Sequence, residues 1–181
     1  EGSTLEFIAR AGAGLDLIDE AYCSANQIAV FSANEGNRDA VAEHVIGQLI
    51  TLARKINTAD TQVRNGIWDR EGNRGWELQG KTLGIIGYGN MGQSLAKKLQ
   101  GFDMNILAYD KYAPATHALK DIFEQADILS LHVPLTDETK EMVNSAFIEQ
   151  FKKPIVLINS SRGSICSLEA LAAGLSSGQL R

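Results

Sequence analysis

The stretch that most constrains this chain is residues 81–110, KTLGIIGYGNMGQSLAKKLQGFDMNILAYD. Thr82–Ile86 is short, apolar and β-branched enough to be a strand buried on both faces. It enters Gly87-Tyr-Gly89-Asn90-Met91-Gly92, a G-x-G-x-x-G. Met91, Leu95 and Leu99 then recur at helical spacing, and Gly101 is placed to end that helix. A second strand, Asn105–Tyr109, closes on Asp110, 18 residues beyond Gly92. Each part has a mechanical task in holding a dinucleotide. Gly87 permits the tight turn, Gly89 lets backbone approach a pyrophosphate, and Gly92 lets helix and strand pack closely. The free amides and dipole of the helix N-terminus face the phosphates. Asp110 accepts from the ribose hydroxyls and repels a 2′-phosphate, which favours NAD over NADP. Glycines also gather in ordinary turns, so a flavin site or an empty Rossmann-like site is the competing reading.

Bulk properties narrow the partners. The formal charge is −5 and the pI near 5.2, which argues against a nucleic acid or an anionic membrane surface. No apolar run reaches the roughly 18 residues of a membrane span. Cys23 and Cys166 lie far apart without metal-type spacing, so they read as free thiols, and no metal site is expected. A soluble, cytoplasmic protein is expected. The chain starts at Glu1 rather than a methionine, so its natural start is expected to lie elsewhere.

Before the glycine loop, residues 5–9 and 28–31 read as short strands. Between them Arg10-Ala-Gly12-Ala13-Gly14-Leu-Asp16 is either a strand-to-helix turn or a nest of amides for a carboxylate. Residues 37–57 read as one long helix with Val41, Val45, Leu49, Leu52 and Ile56 on its apolar stripe and Asp39 capping its start. His44 within it reads as a structural hydrogen-bond partner. Residues 58–80 read as a polar connector whose Trp68 and Trp76 need burial over the domain or in a subunit interface. Residues 75–82 match G-x-x-x-x-G-K-[ST], but a strand follows where that mechanism needs one to precede, so the match is coincidental.

Beyond Asp110, residues 121–125 read as a helix end, 127–133 as a strand, 138–151 as partly helical and 155–158 as a strand. Ser167 caps a last helix over residues 168–175. Strands alternating with helices imply an α/β fold with a doubly wound parallel sheet. His132-Val133-Pro134 and Asn159-Ser160-Ser161-Arg162 both follow strands, at the sheet edge where such folds bind ligands. Arg162 there either clamps a carboxylate or makes a surface salt bridge.

Five segments in order, RAGAGLDLID, NRDAVAEH, LGIIGYGNMG, HVPLTDET and INSSRGSICSLEAL, make the chain resemble the D-2-hydroxyacid dehydrogenases over nearly its whole length. RAGAGLD and ANEGNRDAVAEH resemble the phosphoglycerate dehydrogenases within that family. The resemblance implies hydride transfer between NAD and C2 of a D-2-hydroxy or 2-oxo acid, with 3-phosphoglycerate and serine biosynthesis indicated. It implies that Ala13 and Gly14 hold the substrate carboxylate with Asn37 nearby, and that Arg10 meets a substrate phosphate. Gly89, Asn90 and Met91 would contact the pyrophosphate and Asp110 the ribose. His132, Val133 and Pro134 would line the adenosine side with Thr139 close by, and Asn159, Ser160 and Ser161 the nicotinamide half. Arg162 matches the catalytic arginine. The family's histidine acid–base and its glutamate are expected beyond residue 181, so the chain alone is expected to be inactive.

The same resemblance divides the chain into residues 1–34, the last part of a substrate domain, and residues 35–181, a Rossmann domain cut before its final strand. The interval from Asp110 to Asp127 is about ten residues short of an edge strand. The competing function is an NADH-sensing binding protein of the corepressor type, without turnover. A homodimer through residues 39–57 and the tryptophan connector is expected.

Overall fold

The computed structural model describes residues 4–114 and 117–181. β1 (Phe7–Arg10), α1 (Glu20–Ala25) and β2 (Ala29–Ser32) form a small parallel βαβ unit with Phe7 opposite Ala29. Asp19 caps α1 by accepting the Tyr22 N–H at 2.8 Å. The chain continues through α2 (Arg38–Ala53), α3 (Ile56–Arg64), β3 (Thr82–Ile86), α4 (Asn90–Lys98), β4 (Asn105–Tyr109), α5 (Leu119–Gln125), β5 (Ile128–Leu131), α6 (Ser145–Ile148), β6 (Val156–Asn159) and α7 (Leu168–Ser177).

β3 to β6 form one parallel sheet of order β4-β3-β5-β6. Its register aligns Leu83, Ile128 and Val156, and likewise Ile85, Ala108 and Ile158, on a face covered by α2 and α4. Leu107, Leu129, Leu131 and Ile86 face the other way, into a core shared with Ile122 of α5, Ile148 of α6 and Ala170 of α7. Covering both faces explains why β3 and β5 read as unbroken apolar runs rather than alternating ones. From β3 the chain steps outward to β4, then returns across the sheet to β5. The β3/β5 boundary is therefore the point where crossovers diverge and a cleft opens at the carboxyl edge.

The single long helix expected over residues 37–57 is two helices. Its break falls at Lys55, which adopts φ 52°. The Trp76 N–H occupies the Ala53 carbonyl at 2.9 Å, the acceptor that the amide of residue 57 would need to continue the helix. A tertiary contact thus ends α2, and the connector expected from residue 58 begins as α3. The apolar stripe is also rotated: Ala42, Val45, Leu49 and Ala53 are buried, whereas Leu52 and Ile56 are 47% and 45% exposed. Nor does Asp39 cap α2. The N-cap is Asn37, without a side-chain bond, and Asp39 instead accepts the Ser94 hydroxyl of α4 at 2.8 Å.

Gly101 does not end α4, because a 3₁₀ turn, Leu99–Phe102, carries the chain past it to Asp103 at φ 53°. Only Ser145–Ile148 of residues 138–151 is α-helical, and α7 runs two residues further than expected, to Ser177, with Gly178 at φ 77° as its C-cap. The two indoles separate: Trp76 packs on the core, while Trp68 is 83% exposed. Residues 75–82 lead into β3 and follow no strand, so the phosphate-loop match is a coincidence of letters.

Among the described residues no strand lies outside β4, which is the sheet edge. Part of that edge is closed by one residue: the His117 N–H donates to Ala108 O at 3.1 Å, and the Ala108 N–H donates to His117 Nδ1 at 3.2 Å. His117 thereby does locally what a further strand would do. Ala115 and Thr116, within the interval that is short of an edge strand, lie outside the described residues.

Candidate active site

The glycine loop is built by close contact. Gly87 sits at φ 93°, and a Cβ on it would come within 2.5 Å of His132 O. A Cβ on Gly92 would stand 2.2 Å from Gly87 O, so α4 starts directly against the loop. Gly89, by contrast, has nothing within 4 Å of where its Cβ would be. As N-cap of α4 it has no side chain to occupy the leading amides, and the first bond across the cap is Gln93 N–H to Gly89 O at 3.0 Å. The amides of Asn90, Met91 and Gly92 are left for an anion.

Asp110 closes this end. Its Oδ2 accepts the Tyr88 N–H at 2.7 Å, and its Oδ1 accepts those of Tyr112 and Ala113 at 2.8 and 3.0 Å. Burial raises its pKa, but these three amides outweigh burial and hold the carboxylate below its usual range. A carboxylate held below its usual range at the end of β4 suits a vicinal diol and opposes a phosphate.

Across the cleft, the ends of β5 and β6 are stapled together. His132 Nε2 lies 2.9 Å from Ser130 Oγ and its Nδ1 3.2 Å from Ser160 Oγ. Burial with no charged partner lowers its pKa to about 4, so the ring is neutral and structural rather than a proton carrier near pH 7. Ser161 Oγ donates to Leu131 O at 2.9 Å, and Asn159 receives the Ser161 N–H at 2.9 Å while its own amide donates to Arg162 O at 2.8 Å. Asn159 thus shapes the turn that presents Arg162. Val133 is half-buried and Pro134 exposed beyond His132, and Thr139 Oγ1 bonds Pro134 O at 2.6 Å, folding that loop on itself.

Arg162 joins the two parts of the chain. Its Nε donates to Asp16 Oδ2 at 3.1 Å, Nη2 meets the same oxygen, and Nη1 donates to Ser161 O at 3.0 Å. The guanidinium also lies against Gly14, where a Cβ would collide with Nη2. Arg162 therefore makes the salt bridge that was one reading of it, and does so at the Gly12–Gly14 loop that was the carboxylate reading. The hydrogen bond from Arg162 holds Asp16 below the usual carboxylate range, and Asp16 raises Arg162 in return. Arg10 folds back toward Gly12, its Nε 3.7 Å from that residue's Cβ position, and Ala33 N–H bonds Gly12 O at 3.1 Å on the way to Asn37.

Sequence reasoning missed Asp16, Tyr88 and Ser130. Asp16 and Arg162 are 146 residues apart, and no local pattern pairs them. His44 is exposed, and its Nε2 lies 2.9 Å from Gln48 Nε2 one turn along α2. Among the described residues no group of three His, Cys, Asp or Glu side chains could hold a metal ion, and no helix is long and apolar enough to cross a membrane.

A doubly wound parallel sheet, a glycine loop at its switch point and an acid at the end of the next strand define a dinucleotide-binding domain. The family model described as "D-isomer specific 2-hydroxyacid dehydrogenase, NAD binding domain" matches residues 46–181, and the chain belongs to that family. Its cofactor is accordingly NAD, and the open Gly89, the leading amides of α4 and Asp110 fit that dinucleotide. Hydroxypyruvate reductase of Thermotoga maritima is 38% identical over 99% of this chain and 60% of its own length. D-3-phosphoglycerate dehydrogenase of Methanocaldococcus jannaschii is 36% identical over 98% of this chain and 36% of its own length. Among solved structures, D-lactate dehydrogenase of Aquifex aeolicus with NAD and lactic acid superposes with a TM-score of 0.88 at 29% identity, over 97% of this chain and 56% of that one. The chain thus spans less than two thirds of the length of each of these relatives.

Proposed function

We propose that the protein containing this chain is an oxidoreductase that passes a hydride between NAD and C2 of a D-2-hydroxy acid, 3-phosphoglycerate being the substrate we favour. The observation that carries the reading is Arg162, set against Gly14 at the carboxyl edge of the sheet that holds the glycine loop. When bound, NAD supplies or accepts the hydride. Gly89, Asn90 and Met91 hold its pyrophosphate, Asp110 its ribose, and His132, Val133, Pro134 and Thr139 its adenosine side. Asn159, Ser160 and Ser161 flank the nicotinamide half.

Ala13 and Gly14 take the substrate carboxylate in this reading, with Asn37 nearby, and Arg162 exchanges Asp16 for that carboxylate while a donor N–H polarises the C2 oxygen. Arg10, beside Gly12, suits a phosphate at the far end of the substrate. Transfer at C2 also moves a proton. His132 is too strongly depressed for that role, His117 closes the β4 edge and His44 pairs with Gln48, so we assign the proton to the histidine expected outside this chain. We place the boundary between the substrate part and the NAD-binding part at residues 34–35.

Replacing Arg162 with Ala in the complete protein should lower kcat/KM by about a thousandfold while NADH affinity holds within about twofold. An activity within twofold of wild type removes the assignment. A protein that binds NADH but turns over no 2-hydroxy acid would be the sensor instead. We further propose a homodimer: Leu52, Ile56, Val63, Ile67 and Trp68 expose an apolar face along α2, α3 and the connector. A monomer mass by light scattering at all concentrations contradicts it.

A further inference from the structure

Beside Asp110 lies a side-chain cluster that the cofactor contacts leave unused. Lys111 Nζ is 2.8 Å from both Oε1 and Oε2 of Glu138. The Tyr112 hydroxyl donates to Glu138 Oε2 at 2.6 Å, and its ring centroid lies 5.2 Å from Lys111 Nζ. Tyr112 also gives its N–H to Asp110 Oδ1 at 2.8 Å, so one residue links Glu138 to the ribose acid. Glu138 stands on the turn after Pro134, next to Thr139. The cluster therefore ties the loop after β4 to the loop after β5 at the adenosine end of the cleft. Lys111 and Tyr112 lower the Glu138 pKa and Glu138 raises that of Lys111, so both charges are kept at neutral pH.

A cation beside the ribose acid is what a dinucleotide site uses to accommodate a 2′-phosphate. Lys111 occupies that place by sequence, one residue past Asp110, but its ammonium is committed to Glu138. With Glu138 present, the trio of Asp110, Lys111 and Glu138 is net negative; without it the trio is neutral and the ammonium is released. We propose that Glu138 is a positioning residue that determines cofactor specificity: by holding Lys111 and Tyr112 it withholds the ammonium from the 2′-phosphate of NADPH and reinforces the discrimination begun by Asp110. The inference rests on this chain's NAD site and not on the choice of substrate.

The test is direct binding of NADH and NADPH to the purified complete protein, followed by nicotinamide fluorescence, for wild type, Glu138→Gln, Lys111→Ala and the double variant. Glu138→Gln keeps a polar partner for Tyr112 and should tighten NADPH by about three- to tenfold, with NADH unchanged within about twofold. Adding Lys111→Ala should cancel that gain, and raised salt should shrink it. A ratio of NADPH to NADH affinity that stays within twofold of wild type in Glu138→Gln overturns the proposal. So does a gain that survives Lys111→Ala, because the effect would then not pass through the lysine. Equal weakening of both nucleotides would make Glu138 a loop tether and overturns it as well. None of these readouts needs turnover, so a failure here is separate from a failure of the dehydrogenase reading.

Discussion

Around Gly87 and Gly92 the chain leaves no room for a single added carbon, whereas Arg162 reaches Asp16 across a surface where the two side chains are 41% and 36% exposed. The cofactor end is made of backbone: a left-handed turn, a helix start and amides trained on Asp110. The Arg162–Asp16 end, where the proposed function puts the substrate, is made of side chains from segments 146 residues apart. Backbone geometry is set by local sequence and by packing, and it binds any ligand of the right shape. A side-chain ion pair can be exchanged for another carboxylate, which suits a group that must admit and release substrate. The rigid end fits the NAD of the family, and the exchangeable pair is where the proposed function puts the substrate acid.

Gly92→Ala should break the rigid end most severely. Its Cβ meets a backbone oxygen at 2.2 Å, so α4 must move from the loop. Overpacking of this kind costs about 3 kcal/mol, or a Tm lower by roughly 6–12 °C for a chain of this size. NADH binding should fall with it in a fluorescence titration. Gly89→Ala separates folding from binding, since its Cβ enters open space: Tm should stay within about 2 °C while NADH affinity drops about tenfold, because only the pyrophosphate approach is lost. If both variants melt alike, the loop is not as tightly built as its contacts indicate.

Acid provides a second perturbation of the rigid end. His132 is neutral when folded with a pKa near 4, while the unfolded ring titrates near 6.5. Above pH 6.5 neither state binds the proton and the contribution to stability is complete. As pH falls through the window from 6.5 to 4, the unfolded state gains protons first, and up to about 3 kcal/mol is lost. Urea midpoints at pH 7.5 and 4.5 should differ for this reason, and His132→Asn should flatten the difference. An unchanged slope would place the acid sensitivity elsewhere.

Much of the cofactor half was legible because its signals are local. The strand of residues 82–86, the glycines and Asp110 lie within one βαβ unit, and each constrains its neighbours through turn geometry and spacing. Legibility failed where a distant partner intervened. Helix periodicity across residues 37–57 gives no sign that the Trp76 amide claims the Ala53 carbonyl, and a stripe drawn through Leu52 and Ile56 cannot anticipate that the face packed into the core is the one carrying the small residues Ala42 and Ala53. Arg162 was identifiable as a functional candidate, but its engagement with Asp16 was not. Glu138 was invisible for the same reason, since its meaning depends on Lys111, 27 positions earlier.

The sequence by itself determined that a glycine-rich turn joins a buried strand to a helix and that an acid ends the next strand, because dihedral preference and hydrophobic period act over a few residues. Which cations are free, which carboxylates are engaged, which indole is covered and how the β4 edge is closed were decided only by tertiary structure. Charge pairing and edge protection depend on distances between segments far apart in the chain, and those distances exist only once the sheet has brought the loops together.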